Sequence, residues 1–113
     1  MLSYRFGDVV PVDFPFADRT AEKRRPGLVL AQDSHGDLLV ARITSKRVEL
    51  PTDVTRVDWK FAGLNIPSNA RLLKLATTHE SYVLKRLGKV SGRDRQAAIN
   101  ALRKFLDSVE AEI

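Results

Sequence analysis

The sequence predicts a mostly β protein, a small barrel followed by one C-terminal helix, and three observations support this class. Short apolar runs alternate with turn residues over most of the 113-residue chain. In the first run apolar residues recur at period two, as in a strand with one buried face, and the next run is continuously apolar, as in a buried strand. A helical period appears only after Ser91. We therefore expect one domain, with the barrel at about 6–90 and the helix at about 91–109.

The first strand is predicted from alternation near the N-terminus. Its apolar residues are Val10, Val12, Phe14 and Phe16. Pro11 and Pro15 have no N–H, so this strand should lie at an edge or leave the ladder there. A polar loop is expected at 17–24.

The next two strands form a predicted hairpin. Residues 28–32 and 38–44 are apolar runs, and a cluster of turn residues at 33–37 separates them. In such a hairpin the start of one strand faces the end of the other. The N-terminal end of the second strand should therefore lie beside Thr44.

The pattern between the hairpin and the helix is less regular. Residues 49–57 are ambiguous, with a strand expected near Val54, and 59–66 should hold short extended structure and turns. Further strands are expected at 71–75 and 83–90. Between them, Thr77 and Glu80 have the spacing of a capping box, which predicts one helical turn.

The C-terminal segment predicts an amphipathic helix from about Ser91 to Val109. Ser91 and Asp94 have capping-box spacing, and the helix dipole favours a carboxylate in the first turn. The apolar residues share one helical face, which should pack on the sheet: Ala98, Ile99, Leu102, Phe105, Leu106 and Val109.

The charge indicates an anionic partner. The formal net charge is +5, and seven basic residues oppose two acidic ones between Arg71 and Arg95, which is again a surplus of five. A clustered basic surface suggests a polyanion or an acidic protein. An ordinary solvated face explains the same charges equally well.

Several classes of protein are not expected. Without cysteine there is no disulfide framework and no Cys-based metal site. His35 and His79 lack metal-site spacing. No apolar run suits a signal peptide or a membrane span, so we expect a cytoplasmic protein.

The order of several motifs resembles the MazF/PemK family of toxin–antitoxin ribonucleases. GDVVPVDFPF, a polar loop, RRPGLVLA and ARITS follow one another, and GLNIPSNARLLKLATTHESYVLKRLGKVS is similar to the PemK-like branch. The resemblance implies an SH3-like barrel with a C-terminal helix and a homodimer. It also implies a toxin that cleaves single-stranded RNA without metal or cofactor, and an acidic antitoxin as partner.

The resemblance also implies functional residues. Arg25, just before Pro26, matches the catalytic arginine of the family, which would hold the charge that develops on the scissile phosphate. Thr44 matches a threonine that would donate to a phosphate oxygen. The alternative for Arg25 is a rim charge paired with Asp13 or Asp18.

Four further residues are candidate RNA contacts, and the general base is open. The contacts are Arg24, Ser45, Arg71 and Lys74. Glu22 is the best local carboxylate for the base, but the loop before Arg24 lacks the family's glycine-rich element. The Asp that one branch carries two residues beyond the Arg71 position is Leu73 here.

Two other functions stay open. A member that has lost activity would be an RNA- or protein-binding module, which Leu73 and the altered loop allow. A gyrase poison of the CcdB type shares the barrel and helix. It requires a C-terminal Trp-Gly-Ile, whereas this chain ends Glu110-Ala111-Glu112-Ile113.

Overall fold

Six antiparallel strands and one C-terminal helix make up the part of the chain that the computed structural model describes, which is residues 3–14, 24–46 and 49–112. The strands are β1 (Asp8–Val12), β2 (Arg25–Gln32), β3 (Asp37–Thr44), β4 (Asp53–Val54), β5 (Asn69–His79) and β6 (Gly88–Lys89). A 3₁₀ turn covers Glu80–Tyr82, and the helix α1 covers Gly92–Ala111. The predicted class, mostly β with a C-terminal helix, is confirmed.

The strands form one sheet in the order β4-β5-β3-β2-β1-β6. The predicted hairpin is its centre, with β2 beginning at Arg25 rather than at Leu28. A strand near Val54 is also confirmed, and it pairs with β5 at the opposite end of the sheet from β6. Residues far apart in sequence therefore share the sheet, since β5 lies against β3 and β6 lies against β1.

The two faces of the sheet carry separate apolar clusters. One cluster lies under α1 and includes Val9, Leu28, Ile43, Leu72 and Ala98. The other covers the opposite face and includes Val10, Val12, Val29, Leu38 and Val40. Burial of both clusters drives this arrangement, because successive strand residues point to opposite faces.

The pairing of β3 with β5 contains a register shift, at which three residues of β5 are skipped. Ala41 pairs with Leu75, but the next residue, Arg42, pairs with Arg71. Residues 72–74 therefore have no partner in β3. Within this stretch Leu73 is 51% exposed, whereas its neighbour Leu72 is only 2% exposed.

Two strand predictions need correction. The first strand ends at Val12, and Phe14 is buried without being part of it; Phe16 lies outside the described residues. At Pro11 the strand pairs only with β2 among the described strands, as the missing N–H required. The strand predicted at 83–90 shrinks to Gly88–Lys89.

The predicted helical turn begins two residues later than expected. Thr77 remains in β5, where it pairs with Leu39. His79 caps the 3₁₀ turn instead, because its side chain accepts a hydrogen bond from the Ser81 amide. Thr77 is thus a strand residue, since the sheet ladder extends to His79. Likewise, 59–66 contains turns and no strand.

The segment 59–66 contacts the chain before β6 through two glycines. Gly63 has φ +81°, and a Cβ built on it would lie 2.2 Å from the Leu87 carbonyl oxygen. A Cβ on Gly88 would lie 2.4 Å from the Ala62 carbonyl oxygen. Only glycine permits so close an approach of two backbones. We call this contact of 62–63 with 87–88 the glycine ridge.

The helix α1 begins where it was predicted, with the Ser91 hydroxyl accepting from the Asp94 amide at 3.2 Å. The buried Asp94 carboxylate accepts from the Asp58 amide at 2.6 Å, which ties the helix to the preceding loop. The predicted packing is wrong for the distal half. Ala98 is buried, but the last apolar residues are exposed: Phe105, Leu106 and Val109. No helix in the described chain is long and apolar enough to cross a membrane.

Candidate functional site

A basic cavity of about 470 Å³ opens where β2 begins and β3 ends. Segment 63–68 and Leu87, beside the glycine ridge, close its other side. Its polar lining includes Arg24, Arg25, Arg42, Thr44, Ser45 and Lys46. Among the described residues of this lining the charged side chains are all cations, so this part of the cavity suits an anionic ligand.

Arg25 and Thr44 meet at this cavity through the register of the central hairpin. Gly27 pairs with Arg42, and the same register continued by two residues sets Arg25 opposite Thr44. Residues paired across a sheet share a face. Both side chains therefore line the same rim, as the hairpin prediction required.

Thr44 is a buried residue whose hydroxyl oxygen is held by one backbone hydrogen bond. The residue is only 8% exposed, and its hydroxyl oxygen accepts from the Lys46 amide at 3.2 Å. A hydroxyl group carries one proton in addition to its lone pairs. With an oxygen lone pair engaged by the backbone, the proton is available to an acceptor in the cavity.

Arg24 and Ser45 also line the cavity, at its edge. The Arg24 side chain is 41% exposed and forms an ion pair with Asp13 at 3.7 Å. The rim pair considered for Arg25 is thus made by its neighbour. Ser45 is exposed. Asp18 lies outside the described residues.

The other two predicted RNA contacts lie on β5, away from the cavity lining. Arg71 is half-buried, and its guanidinium lies 3.3 Å from the Asp53 carboxylate, whose side chain is fully buried. Asp53 also accepts from the Leu50 amide at 2.9 Å. Lys74 is exposed, within the stretch 72–74 that the register of β3 with β5 skips. The Asp53 carboxylate therefore holds Arg71 in place.

Arg42 is a cavity residue that the sequence reasoning missed. It lies on β3 two positions before Thr44, so it shares the face of that residue. Partial burial lowers the pKa of its guanidinium, and the positive charges of Arg25 and Arg71 lower it further. The period-two rule, applied backwards from Thr44, was the signal that would have found it.

The three arginines form a cationic cluster on one sheet face. Arg42 pairs with Arg71 across β3 and β5, and the positive charge of Arg25 is close enough to lower the pKa of Arg42. Arginine stays protonated in proteins. An anion bound beside Arg25 and Arg42 would offset the repulsion that lowers the pKa of Arg42.

Aromatic side chains that could stack on bases lie in several different places. Trp59 lines a neighbouring cavity of about 420 Å³, which shares Ser45 and Ser68 with the basic cavity. Tyr4 and Phe61 line a separate groove on the other side of the glycine ridge. Tyr82 is 71% exposed on the 3₁₀ turn.

The two histidines lie at the end of the sheet opposite the cavity. His79 pairs with Asp37 at the start of β3, whereas Thr44 is at its end. A ring nitrogen of His79 lies 2.9 Å from the His35 carbonyl oxygen, which fixes the hairpin turn. Within the described ranges, no group of three His, Asp or Glu residues could hold a metal ion.

The family of the chain follows from a match over most of its length. Residues 5–106 match a family model described as PemK-like, MazF-like toxin of type II toxin-antitoxin system. The chain belongs to this family. No curated protein matches it.

Solved structures agree on the fold of this MazF-like toxin. An endoribonuclease from a mycobacterial species, in complex with its cognate antitoxin, has a TM-score of 0.69 at 18% identity and covers 93% of this chain and 96% of its own. The Mycobacterium tuberculosis toxin MazF-mt6 has a TM-score of 0.69 at 21% identity, with coverage of 89% and 96%. A second mycobacterial endoribonuclease has a TM-score of 0.67 at 18% identity, with coverage of 95% and 94%.

No carboxylate in the described part of the MazF-like toxin is placed to act as a general base in the basic cavity. Glu22 lies outside the described residues, and Leu73 is exposed on β5. Asp53 is next to Arg71, but its side chain is fully buried. In the described part of the cavity wall there is no Asp, Glu or His.

Proposed function

We propose that this MazF-like toxin is a sequence-specific endoribonuclease that cleaves single-stranded RNA in the basic cavity without a metal ion. The observation that carries the proposal is the meeting of two guanidiniums and one oriented hydroxyl in a single cavity, at Arg25, Arg42 and Thr44. Two of the solved neighbours are themselves described as endoribonucleases. Their fold supports the same chemistry here.

The reaction begins with attack of a ribose 2′-OH on the adjacent phosphate. Negative charge then builds on the non-bridging oxygens of a five-coordinate phosphorus. Arg25 stabilises this charge through two parallel N–H donors, and Thr44 orients the phosphate through its hydroxyl. Arg42 adds a second positive charge from the same sheet face. Departure of the 5′-oxygen leaves a 2′,3′-cyclic phosphate and a 5′-OH.

Proton transfer needs further groups. A base must remove the 2′-OH proton and an acid must protonate the leaving 5′-oxygen. Arginine is a poor base because its pKa exceeds about 12. We assign the base to Glu22, the nearest carboxylate in sequence to Arg25.

The test is single-turnover cleavage of labelled single-stranded RNA in the presence of a chelator. Arg25→Ala should lose about 10²–10³ in rate, the usual effect of removing one transition-state donor. Arg25→Lys should not rescue, because an ammonium lacks the planar fork. Thr44→Ala and Arg42→Gln should also be slow. Arg103→Ala, an exposed arginine on α1 outside the cavity, is the matched control.

The result that defeats the proposal is Arg25→Ala cleaving within a few-fold of wild type while its circular dichroism is unchanged. A wild-type protein that binds RNA but never cleaves it would instead identify a non-catalytic binding module. That second function is favoured by the absence of a carboxylate from the described cavity wall. The chelator arm excludes cleavage by a contaminating metal-dependent nuclease.

We further propose a cytoplasmic homodimer. Apolar side chains remain exposed on β5 and on the distal half of α1: Leu73, Leu75, Phe105, Leu106 and Val109. Apolar surface of this kind commonly marks an interface in an oligomer. Light scattering at micromolar concentration should give twice 12.7 kDa. A monomer at every concentration would contradict the dimer.

The partner is proposed to be an acidic antitoxin tail that folds on contact and covers the RNA site. One solved neighbour is in complex with its cognate antitoxin. The expected contact residues are Arg71, Lys74, Lys85 and Arg86. Affinity should fall as salt rises, because surface charges are screened over roughly 8–10 Å at 0.1–0.15 M. Undiminished RNA cleavage by the complex would rule out occlusion.

A further inference from the structure

A second basic groove, of about 840 Å³, lies beyond the glycine ridge from the cavity. We call it the outer groove. Its cationic lining residues are Arg5, Arg86, Lys89 and Arg95, and Phe6 and Phe61 are among its aromatic ones. None of these residues belongs to the basic cavity, and the proposed cleavage chemistry uses none of them.

The charge of the outer groove is strongly unbalanced. Its lining has four cations against one carboxylate, Asp8, which is a surplus of three. That carboxylate is already engaged, since it accepts from the Arg5 amide at 3.0 Å and from the Arg86 guanidinium at 3.5 Å. Lys89 and Arg95 are both exposed. The groove therefore presents a positive field to a ligand that carries repeated negative charge.

Aromatic rings lie among these cations. The Arg95 guanidinium carbon lies 5.2 Å from the centroid of the Phe6 ring, within the range of a cation–π contact. Phe61 is 57% exposed, which leaves much of a large apolar side chain in water. Stacking rings interleaved with cations are what a single-stranded nucleic acid binds, bases on the rings and phosphates on the cations. An acidic peptide would use only the cations.

The linings of the outer groove and the basic cavity adjoin at the glycine ridge. Along one chain segment, Phe61 lines the groove while Gly63 and Leu64 line the cavity. Along the facing segment, Leu87 lines the cavity and its neighbour Arg86 lines the groove. A strand that leaves the cavity over this ridge would next meet the part of the groove lined by Phe61 and Arg86.

We propose that the outer groove binds the single-stranded RNA segment next to the scissile phosphate. The proposal rests on the RNA-cleaving function assigned to the cavity. It adds a binding path outside the catalytic residues, with Lys89 and Arg95 contacting phosphates and Phe61 stacking a base.

The test measures binding of RNA that cannot react. The probe is a fluorescein-labelled, 2′-O-methyl single strand of mixed sequence, about 18 nucleotides long, with a probe of about 6 nucleotides as the short reference. Its affinity is followed by anisotropy from about 50 to about 200 mM KCl. The variants are Lys89→Gln/Arg95→Gln and Phe61→Ala. Arg103→Gln/Lys104→Gln on exposed α1 removes the same charge outside the groove.

The expected result is a change in salt dependence. Loss of two single-strand phosphate contacts should reduce the slope of log K against log salt by about 1.4, so wild type should lose about sevenfold more affinity than the double variant across that range. Phe61→Ala should weaken binding of the long probe by about 5- to 150-fold. The α1 control should match wild type, and the short probe should respond little to any groove variant.

Several outcomes would overturn the proposal. One is an equal slope for wild type and the groove variant. Another is an equal response of short and long probes to the groove variant. A third is a poly-glutamate peptide that displaces the long probe and itself loses affinity in Lys89→Gln/Arg95→Gln, with Phe61→Ala neutral, because the groove would then be a peptide site. Since the probe cannot be cleaved, a missing nuclease activity and a missing groove contact are distinguished.

Discussion

Replacement of Gly63 by alanine should separate the two segments that meet at the glycine ridge. The residue has φ +81°, in the left-handed region that L side chains rarely adopt. An added Cβ would lie 2.2 Å from the Leu87 carbonyl oxygen and 2.9 Å from its carbon. Both atoms belong to the backbone, so no side-chain rotation relieves the overlap.

The expected cost is the sum of two effects. A left-handed alanine costs about 1–2 kcal/mol, and forcing one extra carbon into packed surroundings costs about 1–3 kcal/mol. Gly63→Ala should therefore lower the free energy of unfolding by roughly 2–5 kcal/mol. At about 2.1 cal/mol/K per residue, this lowers Tm by roughly 8–20 °C for a chain of this length.

The assay is urea unfolding followed by the fluorescence of Trp59, the one tryptophan of the chain. Gly92→Ala is the matched control, because a Cβ at Gly92 meets no heavy atom within 4 Å at the start of α1. It should be neutral or slightly stabilising, since alanine restricts the unfolded chain.

Gly88, the other glycine of the glycine ridge, gives a second test of the same contact. Gly88→Ala should also be destabilising, because its Cβ would lie 2.4 Å from the Ala62 carbonyl oxygen. The double variant should cost less than the sum, since either change alone already opens the same contact. A Gly63→Ala protein as stable as Gly92→Ala would refute the close approach.

Two further predictions concern carboxylates. Asp53→Ala should destabilise by about 1–3 kcal/mol in urea unfolding, because it removes a fully buried carboxylate that pairs with Arg71 and accepts from the Leu50 amide. Asp107→Ala on exposed α1 should be near neutral, and equal effects of the two changes would show that the pair is unimportant. Hydrogen bonding, chiefly from the Asp37 amide, lowers the pKa of Asp33 from its usual 3.8. The stability that the Asp33 carboxylate contributes is therefore full above pH 3.8 and is lost as the pH falls through its lower folded-state pKa. Asp33→Asn keeps a hydrogen-bond acceptor but cannot ionise. Thermal unfolding of this variant should therefore lack the loss of stability that Asp33 causes at acid pH.

Local patterns predicted the central hairpin and the start of the helix. Alternation and turn residues placed β2 and β3, and Ser91 with Asp94 marked the helix N-terminus, because each signal lies within a few residues. The nearness of Arg25 and Thr44 followed from the hairpin. The period-two rule for strands also predicts that Arg42 shares a face with Thr44, but matching single motif positions did not identify Arg42.

Other predictions were wrong where a contact with residues distant in sequence determined the local structure. Thr77 has a capping-box spacing, but pairing with Leu39 keeps it in β5. The apolar run 83–90 suits a strand, yet the contact at Gly88 leaves only two strand residues there. Apolar periodicity does not say what covers a helix, so the exposure of Leu106 was not predictable.

The sequence by itself determined the mostly β class, the C-terminal helix, the hairpin that brings Arg25 to Thr44, and the family resemblance that the match over 5–106 confirmed. Tertiary structure alone decided which charges share a surface. Asp53 meets Arg71 through the pairing of β4 with β5, and the outer groove combines residues from 4–8, 31–32, 61 and 86–95. The physical reason is that strand period and helix caps act between near neighbours. Ion pairs, glycine contacts and grooves depend instead on long-range pairing, which leaves no periodic signal along the chain.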